Sequence, residues 1–276
     1  NSGAAFKNNW QVNTGITWNP FEISNNALRG SSSLRRPSGL GQNLNITSDT
    51  RKKVYASTSL NYFTGFDHTV RGHNLGLTVV FQPLNALNIS IGTNYSYSWR
   101  RQDQFVSNRT YNNAARSIVS SVTQKTLRFT ARINYNITPD LTLQYYGQPY
   151  ITRPLYKNFA WVSDPLAKKY DNRFTTFNAN QISESNGTYL IDENIDGTTD
   201  YSFGKPDFNF VQFRSNLVVR WEYRRGSELF LVWSQGNTAN AYDELSTPLF
   251  NSLFDNAFAE QSRNIFLLKW TYRFLR

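Results

Sequence analysis

The chain has 276 residues, a net charge of +10 at neutral pH, no cysteine, two histidines and 16% aromatic residues. Without cysteine, disulfides, thiolate metal centres and thiol catalysis are excluded. Mean hydropathy is −0.54, and no stretch approaches the ~20 apolar residues of a membrane-crossing helix; spanning strands escape that test because half of each is polar.

Trp10, Val12, Thr14, Ile16 and Trp18 share one parity, so a strand there has one apolar face. A short run includes Leu44 and Ile46, and weaker alternation covers residues 54–62 and 75–81. The clearest case is 87–99. Its odd positions read Leu87, Ile89, Ile91, Thr93, Tyr95, Tyr97, Trp99, against Asn88, Ser90, Gly92, Asn94, Ser96, Ser98. Leu127, Phe129, Ala131, Ile133 and Tyr135 repeat the pattern, followed by 141–150. Val211, Phe213, Leu217, Val219, Trp221 and Tyr223 follow, then 229–233, and finally Phe266, Leu268, Trp270, Tyr272 and Phe274. The total is about ten strands by period-2 patterning.

Short turns fall near 48–50, 83–85, 138–140 and 225–227. Long connections cover 20–40, 101–123, 153–207 and 237–263, with 64–69 the one short member of that set. Short turns at one end and long loops at the other are the outer-membrane pattern. An up-down path sorts six of the seven tryptophans into two girdles: Trp10, Trp221 and Trp270 at one rim, Trp18, Trp99 and Trp233 at the other. The reading is an all-β chain: a transmembrane antiparallel up-and-down β-barrel of the outer-membrane type, 1–276 being one portion of a larger barrel. Bacterial outer-membrane lipid and lipopolysaccharide are its expected surroundings. Because the sequence opens on Asn1 and shows no signal peptide, a signal peptide and N-terminal region are expected ahead of it. Phe274 resembles the aromatic C-terminal signal read by barrel-assembly machinery.

Basic residues occupy polar-face positions: Arg128, Arg132, Arg214, Arg220, Lys269 and Arg273. A basic lumen favours anions or holds an acidic plug; the alternative is pairing with Glu222 and loop carboxylates. No nucleic-acid motif accompanies the charge.

Asp192, Asn194 and Asp196 stand at positions one, three and five of a calcium-type loop, with Gly197 at six, Thr198 at seven and Asp200 at nine. The bidentate glutamate at twelve is missing, Phe203 standing there; the alternative is an acidic turn. Ca²⁺ is the one cofactor this spacing suggests. Trp161, with Phe159 and Tyr156, is a candidate for stacking on a glycan ring, or a loop's own small core. His68 and His73 are the only histidine bases, with Asp67 adjacent to one, and give little support for a nucleophile–base–orienter set; no enzyme is expected. Leu245, Leu249, Phe250, Leu253, Phe254 and Phe258 recur at helical spacing, predicting an amphipathic helix within 240–260 that caps the mouth, docks a partner or covers its own hairpin.

Three blocks carry a resemblance. One runs through Asn26-Ala27-Leu28-Arg29-Gly30, Leu34-Arg35-Arg36-Pro37 and Ser48-Asp49-Thr50-Arg51-Lys52. A second is Thr138-Pro139-Asp140-Leu141 with Gln148-Pro149. The strongest runs from Asp207 through Val219-Arg220-Trp221-Glu222-Tyr223 to Gln235. Together they are similar to the DUF5916 family, with Ser31, Ser32 and Arg225 departing from its pattern. The resemblance implies a Bacteroidota outer-membrane barrel, usually preceded by a domain like a family 9 carbohydrate-binding module. From it comes the expectation of glycan-associated binding or uptake, a pore being one form; the wide loops, docking helix and basic interior suit the alternative, a non-catalytic scaffold in a secretion or envelope-biogenesis assembly with other outer-membrane proteins. A barrel hydrolase is the third class.

Overall fold

A computed structural model describes residues 1–240, 247–258 and 261–274. Its strands are β1 (Ser2–Ala5), β2 (Gln11–Asn19), β3 (Glu22–Ser24), β4 (Leu34–Arg36), β5 (Gly39–Thr47), β6 (Val54–Gly65), β7 (Val70–Leu84), β8 (Leu87–Tyr111), β9 (Ala114–Thr138) and β10 (Leu141–Val162). They continue as β11 (Phe174–Thr176), β12 (Ile182–Ser185), β13 (Thr188–Ile191), β14 (Tyr201–Gly204), β15 (Phe210–Arg224), β16 (Ser227–Asn240) and β17 (Arg263–Thr271). The α-helix among the described residues is α1 (Leu249–Ala257). No described helix is long and apolar enough to cross a membrane.

The main sheet is an antiparallel meander in the order β1-β2-β5-β6-β7-β8-β9-β10-β15-β16-β17, with β11 added beside the end of β10. All ten expected strands are present; β1, too short to show a period, is the eleventh. Each strand reverses its predecessor, so β1 and β17 run the same way. Among the described residues β1 pairs only with β2, and β17 only with β16. Strands of one direction cannot be antiparallel neighbours, so these eleven do not close an antiparallel barrel by themselves.

Turn chemistry explains several hairpins. Tyr111 pairs with Ala114 across Asn112-Asn113, both at positive φ (46° and 59°), the geometry of a two-residue primed turn. Asn186-Gly187 does the same between β12 and β13. Residues 101–123 are therefore not a loop: β8 and β9 run on to that tip, each 25 residues long. Asparagine tolerates the left-handed region, which was the available signal.

The two halves of β9 differ in environment. From Leu127 to Tyr135 no side chain is buried: the apolar ones are half-buried and Arg128, Arg132 and Asn134 are exposed. From Ser117 to Val122 every side chain is buried. On one side of this upper part, Val119 and Ala160 pack with Leu28, Leu34, Tyr170 and Phe174. On the other, Ile118 packs with Phe159, Phe177, Ile191, Tyr201 and Phe203, most of them from the ribbon β12-β13-β14. The strands thus project as a two-sided cap above a one-sided sheet.

In that lower sheet the large apolar residues are open: Ile16 is 70% exposed, Ile91 61% and Leu268 67%. The polar face is the crowded one. A methyl group on Gly76 would stand 2.5 Å from Ser59 Oγ. On β6, β7 and β8 small side chains are half-buried on the polar face while large ones stand open on the other.

Candidate functional site: the polar face of the sheet

The polar face forms a groove of about 430 Å³. Its floor is small: Ser57 and Ser59 on β6, Gly76 and Thr78 on β7, Ser90 and Gly92 on β8. Asn94 on β8 and Arg128, Thr130 and Arg132 on β9 form its far side. Asn74 and Asn94 exchange side-chain amide hydrogen bonds of 3.0 and 2.9 Å, locking two of the wall's amides to each other. Higher on the same face, Gln124 donates to Thr152, which also bonds Thr126.

The six expected basic positions divide. Arg128, Arg132 and Arg214 take part in no ion pair among the described residues, so their charge stays available to the groove and to a second hollow lined by Arg214, Asn216 and Gln235. Arg132 lies over the Tyr146 ring at 5.1 Å. Arg220 is compensated: it pairs with Glu228 and stands 3.6 Å from Glu222. Lys269 sits 5.6 Å from the Phe230 ring centre. Arg273 lies beyond the strand, where its backbone N–H donates to Ser227 Oγ.

The proposed glycan-stacking rings are placed differently from that expectation. Phe159 is 6% exposed, in the cap's core, against Tyr189 and Phe203. Trp161 and Tyr156 are half-buried against the same cluster. Arg116 lies 4.1 Å from the Trp161 ring centre, over the face a sugar would use. Arg116 in turn bonds Glu193, which accepts the Tyr201 hydroxyl at 2.7 Å. Burial and that carboxylate both push the Tyr201 phenol up. Together these groups hold the cap shut; they are not an exposed stacking platform, because the β12-β13-β14 ribbon folds back over them.

The calcium-type run is similarly engaged. Asp192 accepts the backbone N–H of Asp196 and of Gly197, Asp196 accepts from Thr198, and Asp200 accepts the N–H of Glu193. The Thr198 hydroxyl and N–H, with Asn194, hold the Asp196 carboxyl below the usual range. No group of three or more His, Cys, Asp or Glu able to hold a metal occurs among the described residues. The acidic oxygens satisfy their own loop's amides, the competing use that short acidic side chains favour in turns. His73 lies on the apolar face, stacked on Tyr97 at 5.0 Å, away from any carboxylate cluster.

Trp18, Trp221 and Trp270 lie near strand ends, whereas Trp99 and Trp233 lie mid-strand, Trp233 four register positions from the Trp221 row, which corrects the expected second girdle there. Trp221, Leu229 and Trp270 are successive register partners, and Trp270 Nε1 donates to Tyr223 Oη at 2.6 Å. Trp18 and Trp99 share a lateral row through Leu40, Thr64 and Arg71. Trp233 stacks on Phe266. Trp10 immediately precedes β2 and is 43% exposed.

A family described as a domain of unknown function (DUF5916) matches residues 1–275. The chain belongs to the DUF5916 family. No curated protein matches it.

In this DUF5916 chain two features escaped the sequence. The groove floor was legible in principle, since glycine and serine recur on the polar parity of β6, β7 and β8. Asp103 was not. It is buried, with Arg36 and Arg100 3.5 and 3.6 Å away, and only the fold brings the 20–38 connection to it. The predicted helix is present as α1. It lies against β10, β15, β16 and β9 on the apolar side of the sheet, so of the three expected roles its contacts fit covering its own hairpin rather than capping the mouth; Leu245 lies outside the described residues.

Proposed function

We propose that this chain forms part of the wall of a transmembrane β-barrel in a bacterial outer membrane, and that its polar face lines a passage for small anionic solutes. One observation carries the reading. One sheet face carries Ile16, Leu75, Leu77, Val79, Ile91 and Leu268 exposed, with half-buried apolar residues between them on β9, β10 and β15, and the opposite face is polar and holds the groove. Keeping apolar area in water costs roughly 25 cal/mol per Å², and soluble monomers rarely expose patches beyond a few hundred Å². Lipid removes that cost. Aromatic clusters at the strand ends and short hairpins at one rim agree with the same setting. Further strands, from this protein or another copy, complete the wall between β17 and β1. Arg128, Arg132 and Arg214 give the passage its anion preference. A cap held by its own core favours solute passage over surface glycan stacking through Trp161. The two free sheet edges and the projecting cap favour a scaffold role in a larger assembly as the second reading.

The test is single-channel recording of the intact protein, purified from native outer membranes, in a planar bilayer with asymmetric salt. Discrete steps with an anion-selective reversal potential support the passage. A cation preference overturns the basic lumen. Silence over many insertions, with stoichiometric partners retained in mild detergent, moves the assignment to the scaffold.

A further inference from the structure

We propose that α1 is an interfacial helix outside the barrel wall, its phenylalanine flank immersed in the acyl chains of the outer leaflet. The proposal rests on the membrane reading above. Leu253 and Ala257, 0% and 1% exposed, seat the helix on Ile151, Val211 and Phe213. Leu127, Ile151 and Val211 are register partners, so they form one lateral row on the apolar face, and α1 lies against that row.

The helix has two unlike flanks. Phe250 and Phe254 reach Phe129, with ring centres 6.0 and 5.6 Å away, and Phe258 reaches Phe213 at 4.9 Å. Phe129 and Phe213 each stand two residues below that row, toward the rim that carries Trp221. The stripe therefore leans down the apolar face. It is also open: Phe250 and Phe258 are each 54% exposed. Asn251 and Asp255, about 100° further round the helix from Phe250 and Phe254, are exposed on the side turned away from the sheet. A helix that merely sealed its own hairpin would turn its phenylalanines inward; here Leu253, Ala257 and the half-buried Leu249 make the seal, and the phenylalanines touch the sheet only at the helix's edge.

Depth agrees. Phe213 and Trp221 are eight positions apart on β15. At ~3.3 Å per residue that is about 26 Å along the strand, and a strand tilt of about 40° reduces it to about 20 Å of depth, near the top of an apolar band about 25 Å tall. Acyl chains against the phenylalanines and the headgroup layer against Asn251 and Asp255 match that placement. Polar bonds fasten both ends: Arg153 donates to the Thr247 carbonyl at 2.8 Å, and Asn237 to the Ala257 carbonyl at 3.1 Å.

The chain lacks cysteine, so a single introduced thiol takes a nitroxide label at one site. Phe254→Cys, with Phe250→Cys as a second variant, is compared with Ile91→Cys in the band and Asp255→Cys on the polar flank. The intact protein is reconstituted in liposomes, and power saturation is read with oxygen and with a water-soluble nickel chelate. The expected result is oxygen preference at 254, 250 and 91 and nickel preference at 255. Nickel preference at 254 and 250 with oxygen preference at 91 overturns the interfacial helix alone. Protection from both reagents at 254 and 250 overturns it in favour of a protein partner. Nickel preference at 91 overturns the membrane reading itself.

Discussion

Ile118 and Val119 are consecutive in β9, and neither has any exposed surface. Successive strand side chains point to opposite faces, so protein covers both faces there. Ten residues further along, Arg128 and Phe129 lie on opposite faces of the same strand, in a polar groove and on the apolar face. One strand therefore serves two settings, a protein core above and a one-sided wall below.

Ile118→Ala tests the upper setting. Removing a fully buried isoleucine costs about 2–5 kcal/mol through lost transfer energy and the cavity left behind. The expected outcome is faster proteolysis within 163–209, while the lower strands keep their resistance. Trp161→Ala is expected to act the same way, by uncovering Arg116, and to leave carbohydrate binding unchanged. A Trp161→Ala variant with a stable cap and lost glycan binding would restore the stacking role.

Ile91→Lys against Ser90→Lys tests the lower setting. The two neighbours face opposite sides, and Ile91 is 61% exposed. In water a charge at so open a position changes little. In lipid, a lysine near the midplane costs about 2–4 kcal/mol. Denaturant unfolding in vesicles is expected to show that loss for Ile91→Lys and less than half of it for Ser90→Lys. Equal, small effects would count against lipid on that face.

Much of this was legible because a strand's period is two and its environment is one-sided. Leu87 to Trp99 alternates without interruption, and β8 follows it in register with β7 and β9. The signal fades where both faces are covered. Ile118, Val119 and Val122 read as no particular period, so the strand tips looked like loop. Trp161 was visible as an aromatic, but that Arg116 covers its ring depends on how β12-β13-β14 fold back. Asp192 and Asp196 have ligand spacing in sequence; the amides that take up their oxygens appear only in the folded turn. Sheet direction at β17 and β1 depends on counting a strand, Ser2–Ala5, too short to show a pattern.

The turn at Asp49 makes a pH prediction. Arg51 donates Nε and an Nη to the Asp49 carboxylate at 3.0 and 3.1 Å, and its backbone N–H adds a third bond at 3.1 Å. Arg51 holds the carboxyl at about 2, below its ordinary 3.8. A depressed folded-state value means the unfolded chain takes up its proton first as pH falls. This stabilisation is complete above the ordinary value and is lost as pH drops through about 2. Arg51→Ala should bring the Asp49 titration back toward 3.8 and remove that part of the acid sensitivity. Carboxyl titration by NMR reads the shift directly, and an unchanged Asp49 in Arg51→Ala would assign it to another group.

Charge in the groove gives the last prediction. Arg128 and Arg132 are four residues apart on the β9 side of the groove, with no ion pair among the described residues, over a floor of serine, threonine and glycine. Their field meets little local compensation within the ~8 Å over which physiological salt screens charge. Arg220 is the control, because Glu228 and Glu222 already balance it. Arg128→Gln with Arg132→Gln is expected to lower the anion-to-cation permeability ratio several-fold, read as a reversal-potential shift in asymmetric salt. Arg220→Gln removes a cation but frees two carboxylates, so it too moves selectivity toward cations, and it also weakens the β15–β16 hairpin on thermal unfolding. The groove double variant leaves that hairpin's melting unchanged. Unaltered selectivity in the double variant would place the conducting path, or its absence, away from this face.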